Sequence, residues 1–109
     1  MSTITTHVLD TVLGKPAAGI AVLLERLQDS RFIRISSGMT DHDGRCRDLA
    51  SDAREGVYRL SFDTADYMER LGRSTIYPGI SIVFVCGSDP HYHLPLLLSD
   101  NSYTTYRGS

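Results

Sequence analysis

A chain of 109 residues, 41% of them hydrophobic, has enough apolar material for one small domain around one core, and a formal charge of −2 gives it no general attraction to nucleic acid. Its ten arginines and single Lys15 are scattered rather than gathered into a basic patch, so most read as solvated surface charge. No apolar run approaches membrane-spanning length, and the opening MSTITTHVLD lacks the positive start and apolar block of a secretory signal, so the expected compartment is the cytoplasm.

Taken in chain order, the pattern predicts short strands broken by turns, with no repeat, linker or low-complexity stretch. Ile20 to Leu27 and Phe32 to Ser37 are strand candidates of imperfect alternation, set apart by turn residues at Gly14 to Pro16 and Gln28 to Ser30. Asp43 and Gly44 suit a tight turn, which would present Arg45 from the start of the next strand. Val57 to Asp63 alternates cleanly, with Tyr58, Leu60 and Phe62 on one face. One short helix is predicted over Thr64 to Leu71, capped by Asp63 or Thr64, with Tyr67 and Leu71 sharing a face and Gly72 ending it. Ser81 to Cys86 puts Ile82, Phe84 and Cys86 together, and Leu94 to Leu98 is a further strand. Asp89 with Pro90 and Asp100 to Ser102 mark the remaining turns, before a β-prone end from Tyr103 to Tyr106 that reads as docked on the core. Strands at this spacing predict an all-β sandwich or barrel. Cys46 and Cys86, without secretory context, read as reduced, buried side chains.

Chemistry concentrates in a few places. In a strand His91 and His93 share a face, with Tyr92 opposite. Together with the distant His7 they read as a zinc site, as metal-free catalytic histidines, or as polar surface, and the residues alone leave all three open. His42, in the polar turn DHDG, reads as exposed. The last four residues, Tyr106, Arg107, Gly108 and Ser109, join an aromatic hydroxyl, a guanidinium, a flexible joint and a carboxylate at a terminus that a docked strand would turn into a site.

Three segments carry a resemblance. HYHLPLLLSDNSYTTYRGS (His91 to Ser109) resembles the signature of the transthyretin-related 5-hydroxyisourate hydrolases, THVLDTVLGKPAAGI (Thr6 to Ile20) resembles their opening strand and loop, and TDHDGRC (Thr40 to Cys46) their turn before an active-site arginine. The resemblance implies a transthyretin-like two-sheet β-sandwich with one short helix, spanning residues 1–109 as a single domain. It implies hydrolysis of 5-hydroxyisourate to 2-oxo-4-hydroxy-4-carboxy-5-ureidoimidazoline by metal-independent activation of water, with no cofactor. His7, Arg45, His93 and Ser109 fall on the catalytic positions, and His7, Arg45, Tyr106, Arg107 and Ser109 on those expected to hold substrate; Tyr106 and Gly108 are expected chiefly to shape the tail. A guanidinium such as that of Arg45 offers a planar fork of donors to a ring lined with carbonyl oxygens, and disfavours protonation of a nearby imidazole. Also implied is a homotetramer, a dimer of dimers, with sites at subunit interfaces and Tyr103 to Arg107 as a candidate pairing edge. The chain departs from the family pattern at Asp100, Asn101 and Ser102, where proline and glycine are usual, and more mildly at Leu94 and Thr104. The rival readings are a non-catalytic transthyretin-like carrier and a zinc hydrolase built on His7, His91 and His93.

Overall fold

The computed structural model describes all residues from Met1 to Ser109. Its elements are β1 (Ser2–Asp10), β2 (Lys15–Pro16), β3 (Ala21–Gln28), β4 (Arg31–Met39), β5 (Arg45–Ala53), β6 (Gly56–Phe62), α1 (Thr64–Arg70), β7 (Ile80–Cys86), β8 (His91–Leu98) and β9 (Tyr103–Thr105). They form two sheets, as expected for an all-β sandwich. In one, β1 runs parallel to β8 on one side and antiparallel to β2 and β5 on the other, with β9 against β8 at the edge. The second has the order β4-β3-β6-β7, antiparallel throughout.

The two-residue period of β1 divides the molecule. Ser2, Ile4, Thr6, Val8 and Asp10 point inward and are buried, so Thr3, Thr5 and His7 are left on the outer face of the first sheet. Ile4 and Val8 meet Leu94, Leu96 and Leu98 of β8, and across the sandwich Val22, Leu24, Tyr58, Leu60, Phe62 and Ile80 complete the core. Each such side chain, once buried, contributes about 1.5–3 kcal/mol. Thr6 is tolerated inside because its hydroxyl donates to the Leu94 carbonyl at 2.6 Å. Cys46 and Cys86 are free and buried, as predicted.

The helix forms over Thr64–Arg70 with the Asp63 carboxylate accepting from the Asp66 N–H, and Gly72 follows it at φ 67°. Tyr67 and Met68 are its buried face, whereas Leu71, predicted to share that face, caps the helix and is exposed. Most strands shift by one or two residues from the sequence reading, and β1, β8 and β5 depart from it further. β1 starts at Ser2, ahead of the motif at Thr6. β8 starts at His91, so both histidines lie inside the strand. β5 runs for nine residues without a clean hydrophobic period, because its pairing with β1 slips: Thr6 faces Cys46, but Ile4 faces Ala50.

An ion network ties the loops to the end of β1. The buried Asp10 carboxylate accepts from Tyr67 Oη at 2.8 Å and from the N–H groups of Val12 and Leu13 at 3.1 Å, and pairs with Arg73, which also binds Asp100. Burial pushes Asp10 upward, but the bonds from Arg73, Leu13 and Tyr67 outweigh it and hold the carboxyl below its ordinary value. The Tyr67 phenol is pushed up to about 12, by burial and then by Asp10. The same network explains the unusual loop. Asp100 is held by Arg73 at 2.9 Å, and Asn101 Oδ1 accepts from the Ile76 N–H at 3.0 Å, so side-chain bonds fix a turn that contains neither proline nor glycine.

Candidate active site

The outer face of the first sheet collects the polar residues that the inner face excludes. Register places Thr3 beside His91, Thr5 beside His93, and His7 between Pro95 on β8 and Arg45 on β5. A cleft of about 420 Å³ opens on this face, lined by Thr3, Thr5, Thr6, Arg45, Arg47, His91, His93 and Ser109, none of them hydrophobic. Residues from the first strand, the fifth, the eighth and the terminus thus meet in one place.

Arg45 is set by its turn. Asp41 Oδ1 accepts from the N–H groups of Asp43 and Arg45 at 2.9 and 3.0 Å, and Gly44 adopts φ 76°. A Cβ at Gly44 would lie 2.3 Å from the Val8 carbonyl oxygen, so only glycine lets the turn dock this closely on β1. The half-buried Arg45 side chain makes no ion pair, which leaves its donors free for an acceptor in the cleft. His42 is exposed in the same turn, as expected.

The histidines differ from one another. His93 is half-buried, and burial, followed by the neighbouring His91, His7 and Arg45, holds it below the ordinary histidine value. Its Nδ1 lies 2.8 Å from Thr5 Oγ1, while its Nε2 makes no hydrogen bond within the protein. His7 Nε2 lies 2.8 Å from the Asp43 carbonyl oxygen, which can only accept, so that nitrogen carries a proton and in the neutral ring Nδ1 is the one with the lone pair. His7 stands beside Arg45 in the ladder but does not itself line the cleft. The three-histidine zinc arrangement does not form: His7, His91 and His93 do not bring their ring nitrogens within reach of a shared ion, and Asp41, His42 and Asp43 are the one group of potential ligands that close.

The tail is docked. Gly108 donates its N–H to the His93 carbonyl at 2.7 Å, and a Cβ there would come within 2.7 Å of His93 Cδ2, so glycine at this position allows the terminus to lie against the imidazole. Ser109 consequently reaches the cleft. Arg107 instead turns to Asp89 at 2.9 Å and the His91 carbonyl at 3.2 Å, with its guanidinium 4.4 Å from the Tyr92 ring centre, and the Tyr106 ring is exposed. Neither Tyr106 nor Arg107 lines the cleft. Thr3, Thr5 and Arg47 are cleft residues that the motifs do not mark, although a two-residue period carried back from His7 and onward from Arg45 reaches all three.

The profile of the HIUase/Transthyretin family matches residues 4–108. The 5-hydroxyisourate hydrolase of Mus musculus is 42% identical over 113 residues, covering 99% of this chain and 96% of its own length. That of Pseudomonas aeruginosa is 40% identical over 117 residues, covering 100% and 93%. Among solved structures, the Klebsiella pneumoniae 5-hydroxyisourate hydrolase superposes with a TM-score of 0.88 at 34% identity, over 99% of this chain and 100% of that one. Sea bream transthyretin, solved in complex with thyroxine, superposes at 0.92 with 32% identity, over 97% and 94%. With its fold, its polar sheet face and its whole length accounted for in this way, the chain belongs to the HIUase/Transthyretin family.

Proposed function

We propose that this protein hydrolyses 5-hydroxyisourate, opening its lactam ring to give 2-oxo-4-hydroxy-4-carboxy-5-ureidoimidazoline in urate breakdown. The observation that carries this reading is the meeting of Arg45, His93 and Ser109, drawn from three separate segments, in a cleft without a hydrophobic residue. The full-length similarity to proteins named 5-hydroxyisourate hydrolase supports it. The same cleft weighs against a carrier of an apolar hormone, because a site of that kind is lined mainly by apolar side chains.

In the proposed mechanism neutral His93 takes a proton from water through Nε2 as the water oxygen adds to the lactam carbonyl. Arg45 donates to the oxyanion that forms, an interaction that contributes several kcal/mol where water is excluded. The carbon–nitrogen bond then breaks as the imidazolium returns its proton to the departing nitrogen, and the new acid ionises. His7, with Nε2 committed to Asp43, orients water or substrate through Nδ1. Ser109 accepts from substrate N–H groups, while Arg107 and the Gly108 N–H hold the tail that brings Ser109 in. No metal or cofactor is needed for this sequence of steps.

The proposed assembly is a homotetramer. β9 is an edge strand that a twofold copy can extend, and a facing sheet would close a cleft that a single chain leaves open. No helix is long and apolar enough to cross a membrane, and the proposed compartment is the cytoplasm. To test the activity, 5-hydroxyisourate is generated in place with urate oxidase and its ultraviolet decay followed. The protein should accelerate decay equally before and after chelator treatment; decay at the spontaneous rate would reject the reading.

Two further results are expected. Because His93 acts as a neutral base and its environment disfavours the proton, the acid limb of kcat/KM should lie below the ordinary histidine value of about 6.5. The titratable and cationic groups that act on it are His91 on its own strand, His7 on β1 and Arg45 on β5; a pH profile with its limb at or above that value would contradict the assignment. Deleting Arg107 to Ser109 removes little apolar area, so activity should fall by about 10-fold or more with thermal stability nearly kept. Full turnover by the truncated chain would make the tail merely structural.

A further inference from the structure

A single hydroxyl stands between the two histidines of β8. Thr5 Oγ1 lies 2.9 Å from His91 Nε2 and 2.8 Å from His93 Nδ1, with the two rings 6.1 Å apart. A threonine hydroxyl has one proton to give and lone pairs to accept with, whereas a neutral imidazole carries its proton on one nitrogen only. The contacts are therefore linked. If His93 donates from Nδ1, the Thr5 proton is free to go to His91 Nε2; if Thr5 donates to His93 Nδ1, His91 must donate from Nε2. Only protonation at Nδ1 leaves His93 Nε2 with the lone pair that a base requires, and the proton on one ring nitrogen is decided by the partner of the other.

We propose that Thr5 is a positioning residue for the hydrolysis, holding His93 in its Nδ1–H form by accepting that proton while donating its own to His91 Nε2. The inference rests on the reading of His93 as the base. His91 then fixes the direction of the Thr5 hydroxyl. The same linkage explains why a polar β-branched residue suits the centre of this face. The branched side chain fits the strand, and its position beside His93 in the parallel register puts the oxygen within reach of both rings. Valine would have nearly the same shape, but it would leave a half-buried Nδ1–H without an acceptor.

The test is nitrogen NMR of the histidine rings near neutral pH, with kinetics on Thr5→Val and Thr5→Ser. In the unmodified protein His93 should show a protonated Nδ1 and a bare Nε2. In Thr5→Val the ring should move towards the Nε2–H form, and kcat should fall by about 10-fold or more with KM little changed, since a general base typically contributes about 10²–10⁴-fold. Thr5→Ser should restore both the ring form and kcat. Finding Nε2–H in the unmodified protein would overturn the proposal, even if Thr5→Val failed to fold. So would a Thr5→Val protein that kept both the original ring form and the original kcat. If instead His93→Ala kept full turnover, the base assignment would fall, and the NMR result would still decide what Thr5 does.

Discussion

Replacing His93 by alanine should lower kcat/KM by about 10²–10⁴-fold, the usual contribution of a positioned acid–base group, while the protein stays folded. The ring is half-buried and makes one side-chain hydrogen bond, to Thr5, so its removal costs little stability. In the proposed mechanism its loss leaves the attacking water without an acceptor for its proton. Arg45→Ala should cost a comparable factor of about 10²–10³ by removing the proposed oxyanion donor. That side chain has no ion pair to lose, so a fall in activity there cannot be put down to a broken structural bridge. Decay assays alongside thermal unfolding check both variants; rates within about twofold of the unmodified chain would place the chemistry elsewhere, because a working base contributes at least about 10²-fold.

The largest expected effect on stability lies away from the cleft. Asp10→Ala should destabilise the protein by about 3–5 kcal/mol, because it takes the acceptor from Arg73 Nη1 and from the Tyr67 hydroxyl and leaves the largely buried guanidinium with Asp100 as its one carboxylate partner. For a domain of this size each kcal/mol lowers Tm by roughly 4–8 °C, so a fall of about 12 °C or more is expected. The pH dependence has a definite sign. The folded carboxyl sits below its ordinary value, so its contribution is present above the unfolded pKa of about 3.9 and is lost as pH falls through the depressed folded value. Unfolding melts from neutral to acid pH should therefore show the gap between Asp10→Ala and the unmodified chain narrowing below about pH 4. A Tm within about 3 °C of the original at neutral pH would show that Arg73 finds full compensation in Asp100.

Much of this arrangement was legible in the chain. The clean alternation of Val57 to Asp63 marks β6, and Asp63 with Gly72 brackets the helix, because local chemistry alone decides those elements. The shared face of His91 and His93 follows from strand geometry and holds. β5 was not legible in full, since its register slip against β1 removes the period by which a strand is read. Thr5 carries no signal of its own; its position matters only because a parallel partner brings His93 beside it, a pairing between residues far apart in sequence. Arg107 and Ser109 are two residues apart, yet one turns to Asp89 and Tyr92 and the other to the cleft, a division set by the Gly108 contact with His93 rather than by residue type.

The most direct test compares ultraviolet decay curves of 5-hydroxyisourate, generated in place, with equal amounts of the unmodified chain and of a folded chain carrying both Arg45→Ala and His93→Ala. The first should accelerate decay well beyond the spontaneous rate, and the second should leave it at or near that rate, since base and oxyanion donor act on the same step. Decay by the double variant as fast as by the unmodified chain would contradict the placement of hydrolysis on this sheet face.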